Sequence, residues 1–343
     1  MATVTRYTAA CGTDLGRVRQ NNEDLPFIDM DLGVFVVIDG IGGHLGGEEA
    51  AATALEMIYA RLKRQTGSIA SRIREAITLA NNEVYERGKS HMEWSGMACV
   101  LTVAVAEANR LVIGHVGDTR LYKIHRGKIR KVTHDHSPVG LREDRGEITE
   151  AAAMLDPRRN EVSRDVGSQW HDTHDDDFIE VIAEHFEPDS AWVMCSDGLS
   201  DLIASERIRQ IVEERCGDPA AVVNTLIADA NEAGGKDNVT VVYIEGEHFA
   251  PAVRGVNPEN GSRSHFEENT GRIGSATPRI LHAGASQRTG PLAAGAALYE
   301  TQMEGQPAPD RPDGSGRHYS AGWVAAASLL FGAAVMGLIL WNC

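Results

Sequence analysis

Paired cysteines are missing from this sequence. Its five cysteines, Cys11, Cys99, Cys195, Cys216 and Cys343, are odd in number and form no CxxC pair. Neither a disulfide framework nor a zinc ribbon is therefore expected, and a reducing compartment fits best. Basic residues are scarce: 33 Lys and Arg stand against 49 Asp and Glu, for a formal net charge of -16. That balance argues against a nucleic-acid partner, because a phosphate backbone needs clustered cations. No basic segment followed by an apolar run opens the chain, so no secretory signal peptide is read and the globular part is expected in the cytoplasm. The glycine-rich run at residues 40–43 leads into no Gly-Lys-Ser/Thr and carries no dinucleotide glycine pattern, which disfavours a nucleotide site.

What is present begins with short apolar runs bounded by Gly, Asn or Asp, the pattern of buried strands. They fall at residues 34–38, 99–106, 111–115, 120–124, 191–195 and 239–244. Hairpin-type turns at residues 107–110 and at Arg126-Gly127 make several of them antiparallel neighbours. Amphipathic helices lie between: Ala51, Leu55, Ile58 and Leu62 recur at helical spacing, as do Ile69, Ile73, Ile77, Ala80 and Val84. Asp218-Pro219 reads as a cap and first turn for a helix carrying Val222, Val223, Leu226 and Ile227, closed by Gly234-Gly235. The expected fold is α+β, an antiparallel β-sandwich flanked by helices in α-β-β-α layers.

The 343 residues divide into a domain at 1–248, a tether at 249–318 and a C-terminal segment at 319–343. The tether is rich in Gly, Pro, Ser, Ala and charge without apolar periodicity, and is expected to be disordered. Residues 321–341 are an uncharged apolar stretch of 21 residues with Trp323 and Trp341 near its ends. At about 1.5 Å per residue such a helix crosses a hydrocarbon core of about 30 Å. Arg311, Arg317 and His318 on its N-terminal flank agree with a single-pass membrane anchor whose globular domain faces the cytoplasm.

The informative feature is where the aspartates fall. Asp39, Asp118 and Asp197 each follow an apolar strand, and Asp237 precedes one, all beside Gly, Ser or Asn. Any single one reads as ordinary turn chemistry. Four of them, with Glu23 and Asp24 added, are more economically explained by a shared cation site, because unpaired buried carboxylates are costly. Oxygen ligands without matched His or Cys point to Mg²⁺ or Mn²⁺. The glycines of Asp39-Gly40-Ile41-Gly42-Gly43-His44 would let the backbone approach an ion.

The blocks Thr13-Asp14-Leu15-Gly16-Arg17-Val18-Arg19-Gln20-Asn21-Asn22-Glu23-Asp24, Ile38-Asp39-Gly40-Ile41-Gly42-Gly43-His44, Val116-Gly117-Asp118-Thr119-Arg120, Thr133-His134-Asp135-His136-Ser137, Cys195-Ser196-Asp197-Gly198-Leu199 and Lys236-Asp237-Asn238-Val239-Thr240 occur in an order that resembles the metal-dependent Ser/Thr protein phosphatases of the 2C type, in their bacterial form. The resemblance spans about residues 6–245. It implies two to three Mn²⁺ or Mg²⁺ ions, with Asp39 bridging two of them and the Gly40 carbonyl on one. It also implies Asp197 and Asp237 on the first ion, Glu23 on the second, Asp24 ordering water, and Asp118 helping Asp197 hold a third. Arg19 resembles the guanidinium that grips the substrate phosphate. Asp39, Asp24 and Arg19 would then carry the catalysis, hydrolysing phosphoserine or phosphothreonine in phosphorylated proteins and opposing a Ser/Thr kinase.

Eukaryotic members of that family place a His where this chain has Ile41; His44 reads as a helix-entry residue. Residues 140–164 resemble the family's variable flap beside the active site, and the His171–Asp177 run reads as a solvated loop. Two alternatives stay open: an inactive membrane-tethered scaffold of the same fold, and another two-metal phosphohydrolase, although such sites usually include His ligands.

Overall fold

Six apolar runs become the interior strands of two antiparallel sheets in the computed structural model, which describes residues 5–42 and 46–255. In chain order the strands are β1 (Tyr7–Asp14), β2 (Leu25–Asp29), β3 (Val34–Ile41), β4 (Ala98–Glu107), β5 (Arg110–Val116), β6 (Arg120–His125), β7 (Lys128–Lys131), β8 (Glu180–His185), β9 (Ser190–Cys195) and β10 (Val239–Gly246). The helices are α1 (Gly46–Leu62), α2 (Ile69–Ser90), α3 (Pro138–Asp144), α4 (Glu150–Met154), α5 (Asp197–Ser200), α6 (Ser205–Arg215), α7 (Pro219–Glu232) and α8 (Phe249–Val253). One sheet runs β1-β10-β9-β6-β7 and the other β2-β3-β4-β5-β8, with every pairing antiparallel.

Alternation along β3 sets the layers. Val34, Val36 and Ile38 point toward α1 and α2, where they join Leu55, Ile58, Ile73 and Ile77. Phe35 and Val37 point the other way and meet Trp192, Met194, Val242 and Ile244 of the opposite sheet. A third cluster lies under α6 and α7, around Tyr122, Val193, Ile208, Val222 and Leu226. A strand buried on both faces must be apolar throughout, which is why these runs are continuous. The layers are helix, sheet, sheet, helix, as the patterning predicts.

The local signals hold as well. Ser68 caps α2, its side chain accepting from Ser71 N–H, and the stripe Ile69, Ile73, Ile77, Ala80 and Val84 is buried. Asp218 caps α7 by accepting from Ala221 N–H. Arg126 and Gly127 both take positive φ (52° and 71°) at the β6–β7 hairpin, as its two-residue turn requires.

Four strands lie outside the predicted set: β1, β2, β7 and β8. They are the four sheet edges; small or charged side chains break the apolar run in β1, β7 and β8, and β2 is a short apolar strand carrying Pro26. α8 buries Phe249 and Ala250 against the α6–α7 cluster, at the start of the segment read as a tether. The rest of that segment, the stretch 321–341 and His44 lie outside the described residues. Among the described residues no helix is long and apolar enough to cross a membrane.

Candidate metal centre and active site

All the predicted acidic residues come from one end of the sandwich. Asp39 lies in β3 opposite Val100, since the strand continues to Ile41 instead of stopping at Ile38 as the apolar run suggests. Asp118 follows β5, Asp197 opens α5 directly after β9, and Asp237 stands two residues before β10. The Glu23–Asp24 stretch is brought alongside by Gly40 N–H, which donates to the Glu23 carbonyl at 3.2 Å. Asn238 holds that loop on the other side: its Oδ1 accepts from Glu23 N–H at 2.9 Å, and its Nδ2 donates to the carbonyls of Leu15 and Asn21.

Backbones come unusually close here. A Cβ on Gly40 would stand 2.4 Å from the Gly47 carbonyl oxygen, and one on Gly47 would stand 2.7 Å from the Glu23 carboxylate. Glycine at these two positions presses the end of β3, the start of α1 and Glu23 into one pocket wall. Across the pocket, Ser196 Oγ donates to Asp24 Oδ2 at 2.7 Å and accepts from Thr240 N–H at 3.0 Å. Arg19 donates to Asp237 Oδ2 at 2.7 Å from the rim, with half its side chain exposed.

The electrostatics show that these groups share one field. Burial, then the charges of Asp24, Asp197, Asp118 and Asp237, push the Asp39 carboxyl well above its ordinary range. Asp197 is pushed up likewise, by burial and then by Asp201, Asp118, Asp237 and Asp24. Burial also raises Asp24 to about 6, against the hydrogen bonds from Ser196 and Thr240. Asp118 rises to about 7 through burial, then Asp135 and Asp201. Glu23 is raised by burial, opposed by Arg19. The structure thus brings Asp24, Asp39, Asp118, Asp197 and Asp237 together, with Glu23 and Arg19 at the edge. Among the described residues, Asp24, Asp39, Asp118 and Asp197 have no ion-pair partner.

Several supporting residues escape a reading of strand ends. His115 Nε2–H donates to the Gly117 carbonyl at 2.9 Å, while its Nδ1 lies 2.9 Å from Thr102 Oγ1, which donates to it. His136 Nδ1 accepts from Gly117 N–H at 3.1 Å, and His136 N–H donates back to the Gly117 carbonyl. Both rings are struts for the turn that presents Asp118. With Glu180 they place candidate ligand atoms within 4.8 Å of one another, but the ring nitrogens facing Gly117 and Thr102 are already hydrogen-bonded, which does not suit a metal.

Behind the struts lies a buried ion network. Arg120 forks onto Asp135 at 2.6–3.1 Å and reaches Glu143 at 2.7 Å. Arg159, also buried, stands 2.5 Å from Asp201 and 3.6 Å from Asp135. The signal was in the sequence, since Arg120, Asp135 and His136 lie within the quoted blocks; only their roles were unread. The His171–Asp177 run is a turn tied to α2, with the His171 backbone N–H donating to Asn82 Oδ1 and its carbonyl accepting from Asn82 Nδ2, and with the His171 ring stacked on Phe178 and bonded to Asp175.

The donor set fits divalent cations. Several carboxylates converge without a counter-charge, which is costly unless cations neutralise them. All are hard oxygen donors, suited to Mg²⁺ or Mn²⁺. Arg120 and Arg159 are committed to Asp135, Glu143 and Asp201, so they leave that demand unmet.

Comparison with known proteins agrees with this geometry. The chain is 30% identical over 241 residues to the serine/threonine phosphatase stp of Listeria monocytogenes, covering 68% of this chain and 93% of that one. The crystal structure of the Mycobacterium tuberculosis serine/threonine phosphatase PstP/Ppp is similar at a TM-score of 0.63 and 28% identity, covering 71% of this chain and 99% of the other. The catalytic domain of PstP in complex with two manganese ions is similar at a TM-score of 0.61 and 27% identity, covering 70% of this chain and 98% of that one. Residues 12–225 match the family described as protein phosphatase 2C, and with the acidic centre in place this chain belongs to that family.

Proposed function

We propose that the chain is a metal-dependent protein phosphatase that removes phosphate from phosphoserine and phosphothreonine in proteins, with the carboxylate centre as its active site. One observation carries the reading: carboxylates from five separate segments meet at one end of the sandwich, Asp24, Asp39, Asp118 and Asp197 among them without an ion-pair partner in the described residues, and Arg19 stands at the rim on Asp237. The names of the relatives and the two manganese ions in the PstP structure support it.

Asp39, with Asp24, Asp197, Asp118 and Asp237 around it, would hold the ions together with the Gly40 carbonyl. Asp197 and Asp237 would hold one ion, Glu23 a second, and Asp118 with Asp197 a third. When bound, Mn²⁺ or Mg²⁺ ions supply the positive charge that activates water and offsets charge on the phosphoryl oxygens. Asp24, fixed by Ser196, would orient water at the centre. Arg19, half exposed, turns from Asp237 to the phosphate, which its planar fork of donors matches. No protein nucleophile is required. His115 and His136 point their bonded nitrogens at Gly117 and are struts, not proton donors to a leaving group.

In the same reading residues 321–341 anchor the protein in a membrane, with the catalytic domain on the cytoplasmic side. There it opposes a Ser/Thr kinase, and tethering would raise the local concentration of shared substrates.

Asp39→Asn should bring Mn²⁺-dependent hydrolysis of p-nitrophenyl phosphate down at least 100-fold while circular dichroism stays unchanged. Undiminished turnover would sink the scheme. Calorimetry showing no Mn²⁺ binding to the wild type would favour the scaffold alternative, and preference for cyclic nucleotides over phosphopeptides would favour a phosphodiesterase.

A further inference from the structure

Helix α6 starts without a cap of its own. Its N-cap residue is Ala204, whose side chain offers no acceptor, so the first N–H groups of the helix need a partner from elsewhere. Glu150, the first residue of α4, provides it. Its Oε1 accepts from Ser205 N–H at 2.7 Å and its Oε2 accepts from Ser205 Oγ at 2.8 Å. The two residues are far apart in sequence, and the contact pins one end of the excursion between α3 and β8.

That excursion stands beside the catalytic centre. Its Arg159 reaches Asp201 at 2.5 Å. At its far end Val166 exchanges two backbone hydrogen bonds with Cys99, at 2.8 and 2.9 Å. Leu155, between these fixed points, is 85% exposed. The receiving side is stiff: Asp201 N–H donates to the Asp197 carbonyl and Ile203 N–H to the Leu199 carbonyl, so Asp197 through Ile203 form one hydrogen-bonded unit that leads through Ala204 into α6. α6 itself is seated by Ile208, Ile211 and Val212.

We propose that Glu150 is a positioning residue for protein substrates: by capping α6 from the excursion, it fixes the wall that a phosphoprotein meets beside Asp118 and Asp197. The inference rests on the phosphatase reading. A small phosphate ester fits at the centre without touching the wall, whereas a polypeptide carrying the phosphate must lie across it. Loss of the cap therefore weakens recognition of the polypeptide and leaves the chemical step intact.

The test uses the full chain with Mn²⁺, comparing a phosphothreonine peptide with p-nitrophenyl phosphate. Ser205→Asp places a second carboxylate opposite Glu150, and an acidic residue in the first turn suits a helix start, so α6 keeps its own stability while the contact is repelled. Glu150→Ala and Ser205→Asp should each raise KM for the peptide at least fivefold, with kcat and the kcat/KM for p-nitrophenyl phosphate within twofold of wild type. Glu150→Lys combined with Ser205→Asp restores an attractive pair and should return the peptide KM to within twofold. A parallel fall on both substrates, or a double variant no better than Ser205→Asp alone, overturns the proposal. Wild type inactive on both substrates would instead count against the phosphatase reading.

Discussion

Asp135 and Asp39 carry the same side chain, both lie among charges, and their titration moves in opposite directions. Burial alone would raise Asp135, but Arg120 and then Lys131 outweigh it and hold the carboxyl well below its ordinary range. Asp39 has only carboxylates for close neighbours, so burial and repulsion add. One is a paired structural anion, the other a buried carboxyl crowded by others of its kind. Asp135→Asn should cost on the order of 3–5 kcal/mol in chemical denaturation, because it leaves Arg120 buried beside a neutral partner. His136 gives a pH dependence. Burial first, then His115 and Arg164, push its pKa down to about 3 from 6.5. Below pH 6.5 the unfolded chain takes up a proton that the folded chain refuses, so this group's contribution to stability falls between pH 6.5 and about 3. The raised carboxylates of the centre titrate with the opposite sign. The measurement is therefore the difference between wild type and His136→Asn in saturating Mn²⁺: the gap should narrow as pH is lowered from 7 to 4, and a constant gap would contradict the assignment.

At the scale of elements, burial decided what could be read. The six interior strands face neighbours on both sides and show as apolar runs; β1, with Thr8, Ala9, Ala10 and Gly12, and β7, with Lys128, Arg130 and Lys131, do not. Edge strands are defined by the partner they pair with, and partners such as β1 and β10 are joined only by the fold. Helices were more legible, because caps and stripes are local. The junction of β3 and α1 shows the reverse case, in which a glycine's purpose appears only when the chains meet. Gly47→Ala would drive a methyl into the Glu23 carboxylate. It should weaken Mn²⁺ binding and turnover about tenfold or more, read by calorimetry and p-nitrophenyl phosphate hydrolysis, while the helix itself gains from the exchange.

At the scale of the whole molecule, the described residues hold three clusters of buried apolar side chains, and α8 adds Phe249 and Ala250 to one of them. A protein cut after residue 255 should fold and retain kcat within twofold, and should stay in the soluble fraction while the full chain sediments with membranes. Recovery of the full chain in the soluble fraction would remove the anchor from the proposal. The sequence alone determined the layered α+β architecture and the set of acidic residues, because apolar periodicity and motif order are properties of consecutive residues. The tertiary structure alone decided that those carboxylates face one another, that His115, His136, Arg120 and Asp135 support them, and that Glu150 caps a helix 55 positions away. Hydrogen bonds and fields depend on distance in space, which pairing and packing set and spacing along the chain does not.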